Sequence, residues 1–88
     1  MNLLKRYLKQ KDRIEKKSIK EDIKKIKSIL RQGRSEIEFL KYENLEAIKV
    51  FLNDKGFWIK TVYRHIFLGV EVNGMDIVIE PKQKKVMN

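Results

Sequence analysis

The stretch IFLGVEVNGMDIVIEP, residues 66–81, decides how the C-terminal half of the chain folds. Apolar side chains recur there at a period of two, the mark of a β-strand. Asn73-Gly74 interrupts the run. That pair is a strong hairpin signal, because a type I′ turn needs φ > 0 at both central residues. A two-residue turn at this point predicts a register: Val72 opposite Met75, Glu71 opposite Asp76, Val70 opposite Ile77 and Leu68 opposite Ile79. It gathers Leu68, Val70, Val72, Met75, Ile77 and Ile79 on one apolar face. Glu71, Asp76 and Glu80 fall on the other. Pro81 ends the last strand, and the basic tail, residues 82–88, is expected to be loose.

Residues 57–64 are also strand formers. Together the three runs 57–64, 66–72 and 75–80 predict a three-stranded antiparallel β-meander. Alternation places Phe57, Ile59 and Tyr63 on one face, and Trp58, Val62 and Arg64 on the other. Ahead of the meander, Leu45, Ile48, Phe51 and Leu52 predict a helix over residues 45–54. Asn44 is its expected N-cap and Gly56 its terminator. Residues 36–41 read two ways. Ile37 and Phe39 alternate with Glu36 and Glu38 as in a strand, while Ser35 and Glu38 match a helix start. A short strand is favoured.

The first third of the chain carries the charge. Residues 1–34 hold thirteen cations and four acids, whereas residues 35–88 hold eight of each. The whole net charge of +9 therefore sits in the N-terminal segment. Ile19, Ile23, Ile26 and Leu30 form one apolar helical stripe. Ser18 and Glu21 match a capping box, and Gly33 fits the end. At 100° per residue, Lys16, Lys17, Lys20, Lys24, Lys27 and Arg31 share a single flank. Glu21, Asp22 and Lys25 lie on the other. A first helix is expected over residues 2–16, meeting the second near residues 17–18; one long helix with a register slip is the alternative. A dimeric coiled coil would need more clean heptads than the two present.

The division is thus a basic helical segment, residues 1–34, and a small neutral α+β domain, residues 35–88, forming one compact unit. There is no cysteine, so neither a disulfide framework nor a thiolate metal site is available. That fits a reducing cytoplasm. No apolar run reaches the roughly 20 residues of a membrane span, and the basic N-terminus lacks the apolar core of an export signal.

Strong positive charge favours anionic partners: nucleic acid, a ribonucleoprotein or acidic lipid. The apolar stripe lacks Trp and Phe, which speaks against a membrane-surface helix. The expected contact residues are Lys16, Lys17, Lys20, Lys24, Lys27, Arg31 and Arg34, set against the bland reading of a solvated lysine face. Trp58, Lys60 and Arg64 are candidates for a protein contact. No catalytic motif, metal site or cofactor site is expected. His65 is a single imidazole, placed at a turn, without a nucleophile. Asp76, Glu80 and Lys82 superficially match a nuclease signature, but Asp76 and Glu80 share one strand, about 13 Å apart.

The runs IEFLKYENLEAIKVFLNDKG (residues 37–56) and FLGVEVNGMDIVIEP (residues 67–81) resemble a layout of small proteins from Firmicute phages and other mobile elements. In that group a strand, a short helix with a Phe-Leu pair and a small antiparallel sheet follow one another. Its Gly-Asp-Tyr-Ile-Ile segment corresponds here to Gly74-Met75-Asp76-Ile77, with an insertion. The resemblance implies a non-enzymatic effector, including inhibitors of host defence such as anti-CRISPR proteins. The expected function is therefore a binding module that contacts nucleic acid or a nucleoprotein through the basic flank. The first alternative is an inhibitor that docks on a host ribonucleoprotein and blocks it. The second is a structural homodimer with a merely solvated lysine face.

Overall fold

The computed structural model describes residues 3–82. The elements run α1 (Leu3–Leu8), α2 (Arg13–Arg31), β1 (Glu36–Leu40), a 3-10 turn (Tyr42–Asn44), α3 (Leu45–Lys55), β2 (Phe57–Phe67) and β3 (Val70–Pro81). The class is α+β and the element order follows the sequence expectation. The three strands form one antiparallel sheet in the order β1-β3-β2. Ile19, Ile23 and Ile26 of α2 share a core with Ala47, Ile48, Phe51 and Leu52 of α3. Ile37, Leu40, Met75, Ile77 and Ile79 supply the sheet's side of that core. The helices therefore cover one face of the sheet, and alternate residues such as Asp76, Val78 and Glu80 point to the other.

The hairpin is displaced from its expected place. It turns at Leu68-Gly69, with φ of 52° and 79°, and Phe67 pairs with Val70. Val70 does not face Ile77, and Glu71 does not face Asp76; Ile77 pairs with Ile37 and Val62. Strand β3 runs straight through Asn73-Gly74, which instead forms a bulge: Val72, Asn73 and Gly74 lie between the pairs Arg64–Met75 and Ile66–Glu71, opposite His65 alone. Tertiary structure outweighs the local turn preference here. Asn73 Oδ1 accepts the Glu43 N–H at 2.9 Å, and β3 occupies the centre of the sheet, where it pairs with both neighbours. A turn at Asn73-Gly74 would leave β1 without that partner. The expected apolar face is consequently split. Met75, Ile77 and Ile79 are buried, while Leu68, Val70 and Val72 are exposed.

A second bulge, at Lys60, resets the alternation along β2: Ile59 pairs with Ile79, and Thr61 with Val78. Ile59 and Val62 thereby both pack on the core, and Tyr63 is exposed with Trp58. This corrects the grouping of Tyr63 with Phe57 and Ile59. His65 lies within β2, not at a turn.

At the N-terminal end the two helices part at residues 9–12, not 17–18. Asp12 caps α2 by accepting the Glu15 N–H at 3.0 Å. Ser18 is interior to the helix, so the Ser18–Glu21 box does not form. Ser18 Oγ accepts from Asn44 Nδ2 at 3.1 Å, and Glu21 pairs with Lys41 at 3.7 Å. Asn44 precedes α3 but makes no capping bond. Gly56, at φ 87°, closes α3 as expected. The tail beyond Lys82 and the start before Leu3 lie outside the described residues.

Candidate functional site

Helix α2 presents its two long sides to different surroundings. Ile19, Ile23 and Ile26 face the core, and Asp22 is buried with them at 2% exposure. Asp22 Oδ2 accepts from Asn44 Nδ2 at 2.9 Å and from the Lys41 N–H at 2.8 Å. The sequence placed Asp22 on an outer flank; it is in fact a buried anchor. Lys25, on that same side, donates to the Phe39 carbonyl at 2.5 Å. One side of α2 is thus tied to the 3-10 turn and to β1.

The opposite side is free of such ties. Lys17, Lys20, Lys24, Lys27 and Arg31 are exposed and Lys16 is half-buried. Among the described residues none of the six forms an ion pair within 4 Å; the pairs are Lys41–Glu21, Lys49–Glu46, Arg64–Glu71 and His65–Asp76. From Lys16 to Arg31 the row runs roughly 22 Å at 1.5 Å per residue. Lys27 Nζ also lies 5.9 Å from the Phe51 ring centre, which steadies the middle of the row. Arg34 does not join it. Beyond the helix, it borders a separate depression with Lys25, Glu36, Glu38 and Phe39.

Beside the row lies a groove of about 1060 Å³ between α1 and α2. Leu4, Leu8, Ile14, Ile19 and Ile23 give it an apolar floor. Lys5, Lys9, Arg13, Lys16, Lys17, Lys20, Lys24 and Lys27 rim it, and among the described residues Glu21 is the one acid that lines it. The apolar floor had no counterpart in the sequence reading, because it depends on α1 folding back onto α3, where the Leu3 N–H donates to Asp54 Oδ2 at 3.1 Å.

The three candidates for a protein contact all lie on β2 but in different surroundings. Arg64 is engaged within the fold: its guanidinium sits 3.5 Å from the Tyr42 ring centre, pairs with Glu71 at 3.3 Å and donates to the Val72 carbonyl at 3.3 Å. Trp58 is 51% exposed, with Lys82 Nζ 4.8 Å from its ring centre. Lys82 is in turn bonded to the Asn53 side chain. Lys60 is exposed at its bulge.

A polar cluster that the sequence did not reveal occupies the outer face of the sheet. His65 Nε2 lies 2.7 Å from Asp76 Oδ1, and the same oxygen accepts the Phe39 N–H at 3.0 Å. Phe39 holds a left-handed φ of 62° in a bulge of β1, and its ring meets His65 edge-on at 5.7 Å. Burial by itself raises the Asp76 carboxyl. The Phe39 N–H, then the hydrogen bond and charge of His65, outweigh it and hold the group below its ordinary value. The chain has no cysteine, and among the described residues no group of three or more His, Cys, Asp or Glu could hold a metal ion. Among them, too, no helix is long and apolar enough to cross a membrane. No protein-family model, curated protein or solved structure significantly matches the chain.

Proposed function

We propose that the chain is a non-enzymatic binding module that contacts nucleic acid, free or within a nucleoprotein, through the basic flank of α2. The observation that carries this reading is the row from Lys16 to Arg31. Its six cations lie on one side of a rigid helix without an ion pair among the described residues, and Glu21 is drawn off to Lys41. A row of this spacing can follow a phosphate backbone, and neutralising phosphates releases counterions. Contacts of that kind position a protein without reading sequence. The affinity should therefore depend on salt and little on base order. Titration of labelled DNA and RNA oligonucleotides over a range of salt tests it, against the flat response of a merely solvated lysine face.

A second reading has its own support. The apolar strip of Leu4, Leu8 and the exposed Ile14 beside the lysines is a feature that phosphate contact does not use. It suits an acidic protein surface carrying apolar side chains. An inhibitor docking on a host ribonucleoprotein, as the resemblance to phage proteins implies, would use both features. Such a chain would bind the protein component after nuclease treatment.

A further inference from the structure

The displaced turn makes the β2–β3 hairpin overrun the helical layer, and its far end is apolar and bare. Tyr63 is 58% exposed, Ile66 65%, Phe67 66%, Leu68 86% and Val70 63%. Tyr63 and Phe67 alternate onto the outer face of the hairpin with Val70 opposite Phe67, whereas Ile66 lies on the other face and Leu68 in the turn. Scattered exposed apolar residues need no explanation, but apolar side chains bare on both faces of one hairpin end do. Taking an aromatic side chain at roughly 150–250 Å² and the aliphatic ones somewhat lower, these five offer on the order of 600 Å². A standard stable interface takes roughly 800 Å² from each partner, so a surface of this size suits a weak, concentration-dependent association. Leu68 adds a second oddity. It is a bulky residue at φ 52°, where Asn or Gly is ordinarily found.

From this we infer that the hairpin end is a self-association surface, and that its occupant is a second copy of this chain. Charge is the first argument. Copies that each carry +9 repel, and the hairpin end is a place where they can meet. The charged groups there are internally matched: Arg64 with Glu71 at 3.3 Å and His65 with Asp76 at 2.7 Å. Geometry is the second. Strand β2 is an edge of the sheet. Its first half is blunted by Lys60 and a bulge, devices that discourage pairing. From Tyr63 to Phe67 the extra residues of the irregular register lie on β3, so β2 itself stays continuous and open. Antiparallel pairing of residues 63–67 with the same residues of a second copy is self-complementary and closes as a two-fold dimer. It joins two three-stranded sheets and brings Phe67 of each copy beside Tyr63 of the partner subunit. A small domain also gains stability from such burial. The inference does not depend on nucleic-acid binding.

Sedimentation of the full chain from micromolar to millimolar concentration tests this. The expected result is a monomer–dimer equilibrium that tightens as salt rises, because salt screens the repulsion between like-charged copies. That trend is opposite to the one expected for nucleic-acid binding, so either reading can fail without the other. The double variant Phe67→Thr with Leu68→Asn keeps strand preference and suits the turn. It should dissociate the dimer by roughly tenfold or more with an unchanged far-UV spectrum. In the unaltered protein, amide shifts that move on dilution should cluster at residues 63–70. A monomer at every concentration overturns the inference, as does dimerisation unaffected by the double variant, or dilution shifts located on α2.

Discussion

The Asp22 side chain, buried beneath α2, accepts a hydrogen bond from Asn44 Nδ2 at 2.9 Å. With the Lys41 N–H on the same oxygen, this joins the middle of α2 to the 3-10 turn. It also fixes the rotation of the helix. The isoleucines are held inward and the lysines on the far side are held outward. The candidate binding row is therefore positioned by a residue that carries the opposite charge.

Replacing Asp22 by Ala should cost about 2–3 kcal/mol, because buried donors lose their acceptor. The melting temperature should fall by about 10 °C or more. Thermal unfolding by circular dichroism measures it. A change as small as that of an exposed Glu, such as Glu46→Ala, would mean that Asp22 is not an anchor.

Gly74 makes room for His65. A Cβ placed on Gly74 would lie 2.7 Å from His65 Nδ1. Gly74→Ala should therefore displace the imidazole and weaken its bond to Asp76, lowering stability by about 1–3 kcal/mol. The reporter is the Asp76 titration by NMR, whose midpoint should move up toward the ordinary carboxyl value. An unmoved midpoint with an unmoved ring would contradict the close packing.

The His65–Asp76 pair also predicts a pH dependence. Its sign follows from the depressed carboxyl of Asp76. A group with a lower pKa in the folded state adds stability above its unfolded value, about 3.9, and loses it as pH falls through the folded value. Asp76→Asn should therefore be less stable than the unaltered chain near neutral pH. That gap should close as pH falls from the unfolded value through the lower folded one. Denaturant unfolding at a series of pH values gives both curves, and a gap independent of pH would rule out a role for the charge.

Where the sequence and the fold agree, the signals were local. Gly56 at φ 87° and Gly33 at φ 72° end helices as their positions suggest, since neither needs a distant partner. The stripe Ile19, Ile23, Ile26 is buried because a period of 3.6 can face only one way. One disagreement is local, the start of α2, where Asp12 caps through the Glu15 N–H; the others involve residues distant in sequence. Asn73-Gly74 is a good turn, but Glu43 and His65 compete for it. Asp22 looks like a residue of an outer flank until Asn44 arrives from 22 residues away. The bulge at Lys60 shifts one residue and so sends Tyr63 to the other face. Of the candidate site, the flank from Lys16 to Arg31 was legible from helical geometry. The groove floor was not, and Arg34 lies apart from the row.

The most direct test of the central claim is the salt dependence of oligonucleotide binding by two charge-matched variants. Lys20→Gln with Lys24→Gln removes two cations from the row. Lys49→Gln with Lys60→Gln removes two cations from α3 and β2. Gln preserves helix propensity, so α2 should stay intact. Lys25 is not a suitable control, because it bonds the Phe39 carbonyl. Each phosphate contact adds roughly 0.7–0.9 to the slope of log K against log salt. The first variant should flatten that slope by roughly 1.5 and weaken binding to all sequences alike; the second should leave it nearly unchanged. Equal losses from both would mean that only total charge matters, and an unaltered slope in the first would contradict the role assigned to the α2 flank.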